Sequence, residues 1–160
     1  MDEGEKKLTD DIEQFGWHVL KVLEDDSGPG FVYSVGLFKT FKHPEIIIVG
    51  LKLDLAHILI NNIGEDIKNG KHYQSGQLYT DILDNFKCLM LDVTKDNYKE
   101  YVGYGLWYYQ GDDFPLLQCI YPTVKGIYPW ETEWPADIKH LQPILGDSGE
   151  INLERDANGA

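Results

Sequence analysis

Apolar residues at the start of the chain fall at helical spacing. Leu8, Ile12 and Phe15 predict a short helix, with Thr9 able to cap it or lie within it and Gly16 placed to stop it. Residues 17–23 then alternate as a strand, 25–30 form an Asp/Ser/Gly/Pro turn cluster, and 31–37 read as a second strand, predicting an antiparallel hairpin. After a loop over 39–44, residues 45–51 are apolar on both faces and predict a central strand. Asp54 can cap the next helix, in which Leu55, Leu59, Ile63 and Ile67 recur every four residues until Gly70. Its polar face carries His57, Asn61, Gly64 and Lys68, with His57 expected in solvent.

The pattern weakens over 71–85, apart from a short strand at 78–82, and strengthens again as a strand over 86–93. Thr94 can cap a helix over 95–106, and 115–121 reads as the last clear strand. From Pro122 the chain is rich in Pro and Trp with little periodicity, as expected of ordered loop wrapping the domain. The early hairpin breaks a strict βαβα alternation. The expected fold class is therefore α+β: a mostly antiparallel sheet packed against two or three helices. Residues 1–146 are expected to form one domain and 147–160 a polar, flexible tail.

Charge narrows the partners. The 160 residues carry 27 acids against 14 bases, a net charge of −13. Arg155 is the only arginine. Nucleic acid calls for a basic patch with arginine as its bidentate reader, and an anionic membrane repels such a surface, so neither is an expected partner. A basic protein or a cation is attracted, although solubility alone also accounts for an acidic surface. Cys88 and Cys119 sit in apolar runs outside any C-x-x-C pair and read as buried free thiols. The first residues, Met-Asp-Glu-Gly-Glu, are the reverse of a signal peptide, and no apolar run is long enough to span a bilayer. The expected location is the cytoplasm.

No glycine-rich phosphate loop or G-x-S-x-G elbow is present, and no two histidines stand at metal-ligand spacing; no metal or cofactor is expected. His43-Pro44-Glu45 is the most suggestive cluster: imidazole and carboxylate at a strand entry can do acid–base work or hold a cation, or can simply bond the loop around Pro44. The series Tyr98, Tyr101, Tyr104, Trp107, Tyr108, Tyr109 is denser than a core requires. A core stripe is one reading and a recognition face the other, since Tyr and Trp are enriched at binding hot spots. Trp130 and Trp134, each beside a proline, add rigid rings in a late loop.

Several blocks resemble a known family. Gly16-Trp17-His18-Val19, then Pro29-Gly30-Phe31-Val32-Tyr33-Ser34-Val35-Gly36-Leu37 and His43-Pro44-Glu45, are similar to the bacterial domain of unknown function 4262, whose members carry a Y-T-V-G-L-like strand followed by a P-E pair. Leu117-Gln118-Cys119-Ile120-Tyr121-Pro122, Gly126-Ile127-Tyr128-Pro129-Trp130 and Gln142-Pro143-Ile144-Leu145 resemble its later blocks. Ser34 stands where the family usually has Thr, and Thr123 where an Asp is common, so a role carried by that Asp is missing from this chain. The resemblance implies a small bacterial protein, sometimes associated with toxin or defence loci, and supplies no reaction.

Two functions follow as expectations. The first is a non-catalytic protein-binding module, an immunity-type inhibitor of a basic toxin, contacting its partner through Tyr101, Tyr104, Trp107, Tyr108, Asp112, Asp113, Trp130 and Trp134. The second is a small enzyme or ligand-binding protein whose site gathers Tyr33, Ser34, His43, Glu45 and Gln118. A flavin or nucleotide binder is a remote third, without a phosphate-binding feature to support it.

Overall fold

The computed structural model describes residues 1–147, so the predicted tail lies, apart from Asp147, outside the described residues. The chain forms a six-stranded sheet with helices on both faces. Its strands are β1 (His18–Val22), β2 (Phe31–Val35), β3 (Glu45–Val49), β4 (Leu78–Leu83), β5 (Phe86–Asp92) and β6 (Leu116–Ile120). They lie in the order β1-β2-β3-β6-β5-β4. Every pairing is antiparallel except β3 with β6, the parallel seam at the centre. Both central strands are buried along their whole length, as strands covered on two faces must be. The fold is the expected α+β class, and the first two strands form the expected hairpin, with His18 opposite Val35.

Alternation along β3 sorts the core into two layers. Ile46 and Ile48 pack with Ala56, Leu59, Ile60 and Ile63 of α3 (Leu53–Lys68). Ile47 and Val49 pack with Leu8 and Ile12 of α1 (Glu3–Phe15) and with Tyr98, Val102 and Phe114 on the opposite face. The free thiols of Cys88 and Cys119 are buried in the α3 layer, as their apolar surroundings predict.

Local details depart from the sequence reading for identifiable reasons. Helix α1 starts earlier than Thr9: Asp2 is its cap, and Asp2 and Glu5 bond each other's backbone amides in a capping box. Asp54 does not cap α3, which begins at Leu53 after Lys52; its carboxylate pairs with Lys21 instead. The loop expected over 39–44 contains a short helix, α2 (Leu37–Phe41), entered through Gly36 at φ 117°, a conformation that favours glycine. The single helix expected over 95–106 is broken. A 3₁₀ turn leads into α4 (Tyr98–Tyr101), Val102 adopts φ −120° and ψ 51°, and α5 (Gly103–Tyr109) continues in a new direction.

The Pro/Trp-rich segment after β6 runs back over the sheet as predicted for ordered loop. Two glutamines clip it in place. Gln118 donates to the Pro143 carbonyl and accepts from the Leu145 amide. Gln142 bonds both the amide and the carbonyl of Tyr121. Trp130 packs with Ile144 on Leu89, Leu91 and Ile120.

Candidate functional site

The Pro-Glu pair enters β3 where the sheet meets α2, and Glu45 is 1% exposed there. Its carboxylate accepts from the Ser34 hydroxyl (2.8 Å), the Tyr109 hydroxyl (2.5 Å), and the amides of Gly36 (2.9 Å), Leu37 (3.2 Å) and Phe38 (3.2 Å). The two hydroxyls donate to the carboxyl and each also accepts a backbone amide: Ser34 from Ile46, and Tyr109 from Lys39. All neighbouring protons point inward and none of these partners accepts. Burial pushes the carboxyl up, while Tyr109, Ser34 and the Gly36 and Phe38 amides pull it down. Burial is the larger effect, so the carboxyl is held above its ordinary value. Burial and the Glu45 carboxylate raise the Tyr109 phenol.

His43 is equally closed. Nε2 accepts the Tyr73 amide (2.9 Å), so the proton sits on Nδ1, which donates to the Pro44 carbonyl (2.8 Å). Burial, with His72 beside it, holds the imidazole below its ordinary value; the Pro44 carbonyl opposes this. The structure thus brings Ser34 and Glu45 together, but His43 faces the chain at Tyr73 and Gln118 clips the C-terminal segment. Tyr33 accepts the Tyr104 amide, and burial raises its phenol. The five predicted residues are each 2% exposed or less, and each has its polar groups engaged inside the protein.

The aromatic series behaves differently. The break at Val102 turns α4 and α5 across β2 and the first turn of α1, leaving a groove of about 410 Å³. Tyr101, Tyr104 and Trp107 line it, all half-buried, with Phe31 at its floor packed edge-on to Tyr101 at 4.9 Å. Asp2, Glu5 and Glu100 stand along it against one base, Lys99. Tyr104 leans so closely on α1 that a methyl group on Gly4 would lie 2.7 Å from its hydroxyl.

The other predicted contact residues fall elsewhere. Tyr108 packs against Tyr109 and lies under Lys39. Asp112 and Asp113 are exposed beyond α5, Asp113 lining a separate hollow with Lys95 and Phe114. Trp130 stacks on Tyr128 at 4.8 Å, and Trp134 donates to the Ile138 carbonyl; both serve the C-terminal segment. Thr123, at the position where an Asp is common, accepts the Lys125 and Ile127 amides in a turn.

The sequence reading passed over the groove's acids. Asp2 and Glu5 carry a capping-box spacing that was the available signal, but their meeting with Trp107 depends on the turn at Val102. Among the described residues, no group of three His, Cys, Asp or Glu side chains is placed to hold a metal ion, and no helix is long and apolar enough to cross a membrane.

Neither the curated proteins nor the solved structures contain a match to this chain. Residues 11–135, covering both the Glu45 cage and the aromatic helices, match a family model described as a domain of unknown function. The chain belongs to that family, DUF4262.

Proposed function

We propose that the chain is a non-catalytic binding module for a basic protein, and that it acts as an immunity-type inhibitor of a toxin. The observation that carries this reading is the groove between α1 and α5, where Tyr101, Tyr104 and Trp107 meet Asp2, Glu5 and Glu100. Aromatic faces and nearby carboxylates together suit a lysine or arginine side chain: the rings attract the cation and the acids neutralise it. The net charge of −13 speeds encounter with a basic partner, and the rings hold the complex once formed.

The alternative reading, a small enzyme built on His43 and Glu45, has less support. Both groups are engaged by backbone and side chains, and the groove between α1 and α5 takes in Tyr33 but neither of these two.

The test is affinity capture from the native host at low salt with the native chain, Trp107→Ala and Glu100→Lys in parallel. The expected result is a basic protein retained by the native chain and lost with both variants. Its expression alone should arrest growth, and co-expression of the native chain should relieve the arrest. A retained set that the substitutions leave unchanged, or one without a basic protein, overturns the proposal.

A further inference from the structure

The groove between α1 and α5 does not end at Tyr101. The same residue lines a second cleft, of about 690 Å³, between the β1–β2 turn and the segment after β6. That cleft in turn shares Glu24, Pro29 and Leu141 with a third hollow, of about 280 Å³. The three therefore join in series, with Tyr101 at one junction and Leu141 at the other.

Two glycines shape the third hollow. Gly50, at φ 84°, has no side chain where the Leu141 carbonyl crosses the end of β3, and a methyl group there would collide with it. Gly30 keeps the floor low, since a methyl group on it would stand 3.2 Å from the Leu53 side chain. Leu23, Leu51, Leu53 and Leu141 surround the space, and Leu23 is 76% exposed. Four leucines around one open hollow are a seat for an aliphatic side chain.

The middle cleft is acidic. Glu24, Asp25, Asp26 and Asp137 line it against Lys139 and His140. None of those four carboxylates is in an ion pair among the described residues. The turn is built to hold them: Asp25 and Gly28 exchange backbone hydrogen bonds, and the Asp25 carboxylate accepts the Ser27 amide at 2.8 Å. The Trp134 indole, bonded to the Ile138 carbonyl, fixes the 3₁₀ turn Ala136–Ile138 that bears Asp137. Walls held in this way lose little freedom on binding. Beyond Tyr101 the acidic lining continues with Asp2, Glu5 and Glu100.

We propose that the basic partner enters as an extended segment lying along all three. An aliphatic side chain fills the leucine hollow, lysines or arginines lie over the acidic cleft, and a further cation passes Tyr101 to reach Trp107. Hollows in series take successive side chains of an extended chain, as peptide-binding grooves do. This seat rests on the reading of the Trp107 groove as the site of a basic protein, and deepens it by the form the bound segment takes.

Fluorescence anisotropy of the full chain with labelled synthetic peptides tests the seat. The probe is a peptide of alternating lysine and glycine with leucine at one end, about twelve residues and so roughly 40 Å when extended. Versions with the leucine at the other end, and with serine in its place, run beside it. One of the two leucine peptides should bind about tenfold more tightly than the serine peptide, the worth of one buried aliphatic side chain. Leu23→Ser should abolish that difference and leave the serine peptide's affinity unchanged. Asp26→Lys and Asp137→Lys should each weaken every peptide severalfold, and so should added salt. Asp84→Lys, in the exposed turn between β4 and β5 at the opposite edge of the sheet, should have no such effect. Leu23, Asp26, Asp84 and Asp137 are all exposed, so thermal unfolding of the variants should match the native chain. Absence of saturation, equal binding of leucine and serine peptides, or equal weakening by Asp84→Lys and Asp26→Lys overturns the extended seat. The Trp107 groove is tested apart from it: a basic protein whose capture is lost with Trp107→Ala but kept with Leu23→Ser and Asp26→Lys leaves the groove reading standing and overturns the seat.

Discussion

The Tyr109 hydroxyl donates to the Glu45 carboxylate across 2.5 Å, joining the end of α5 to the start of β3 over 64 residues of sequence. The helix bearing Tyr104 and Trp107 is thereby tied to the buried carboxyl that opens a central strand.

That bond can be measured. Glu45→Gln presents an amide N–H₂ to a cage of donors, and should cost about 2–4 kcal/mol of unfolding free energy. Tyr109→Phe removes one donor and should cost about 1–2 kcal/mol. Urea denaturation of both single variants and the double variant should give a double variant less destabilised than the sum. Additive losses would mean the two groups act independently.

Stability should fall on the acid side of neutrality because of His43. Its ring is held below the ordinary value of 6.5, so between that value and the lower folded one the unfolded chain binds more protons. Stability is then full above pH 6.5 and is lost as the pH falls through and below it. His57 is shifted the same way and contributes in the same sense. Urea midpoints at descending pH, with the His43 resonance followed by NMR, should show the loss beginning while His43 is still neutral in the folded protein.

Gly64→Ala puts a methyl group 2.6 Å from the Trp17 ring, inside any real contact distance. The α3–β1 packing must open, at a cost of about 1–3 kcal/mol. The midpoint of thermal unfolding should drop, and Trp17 emission should move to longer wavelength. Gly70→Ala, which meets nothing within 4 Å but requires φ 104°, should leave that emission unchanged while costing about 1 kcal/mol of strain.

The two glutamine clips predict local release. Gln118→Leu removes the bonds to Pro143 and Leu145 and strands their backbone groups, at about 1–3 kcal/mol. Limited proteolysis should then cut within the segment after β6 sooner than in the native chain, with the sheet still intact by circular dichroism.

Glu100→Lys separates folding from binding. Glu100 is exposed on α4, so reversing its charge should move stability by no more than about 0.5 kcal/mol, whereas retention of a basic partner should be lost. Matching thermal curves for the two chains are the required control.

The central strands were legible because an unbroken apolar run such as that in Glu45–Val49 marks a strand covered on both faces, and α3 because Leu59, Ile63 and Ile67 repeat on one face. The short helix α2 was not: Leu37–Phe41 lacks a face-wide repeat, and its start is fixed by a carboxylate arriving from β3. Glu45 and Ser34 were recognisable as chemistry-bearing residues, but their role is decided by donors from Gly36 and Tyr109. The link between His18 and Asp11 was not legible, since it depends on how tightly Gly16 turns the chain. Gly64 on a polar helix face was the overlooked sign that something large, Trp17, lies against it.

The parallel seam bears on how the molecule is made. As the chain emerges from the ribosome, the first three strands and the β4–β5 ladder appear before the strand that joins them, β6. Until residue 120 is out, each half presents an open edge where β6 will dock, and neither half can complete its core. A nascent chain arrested before residue 116 should therefore recruit holding chaperones, and one released a few dozen residues later should not.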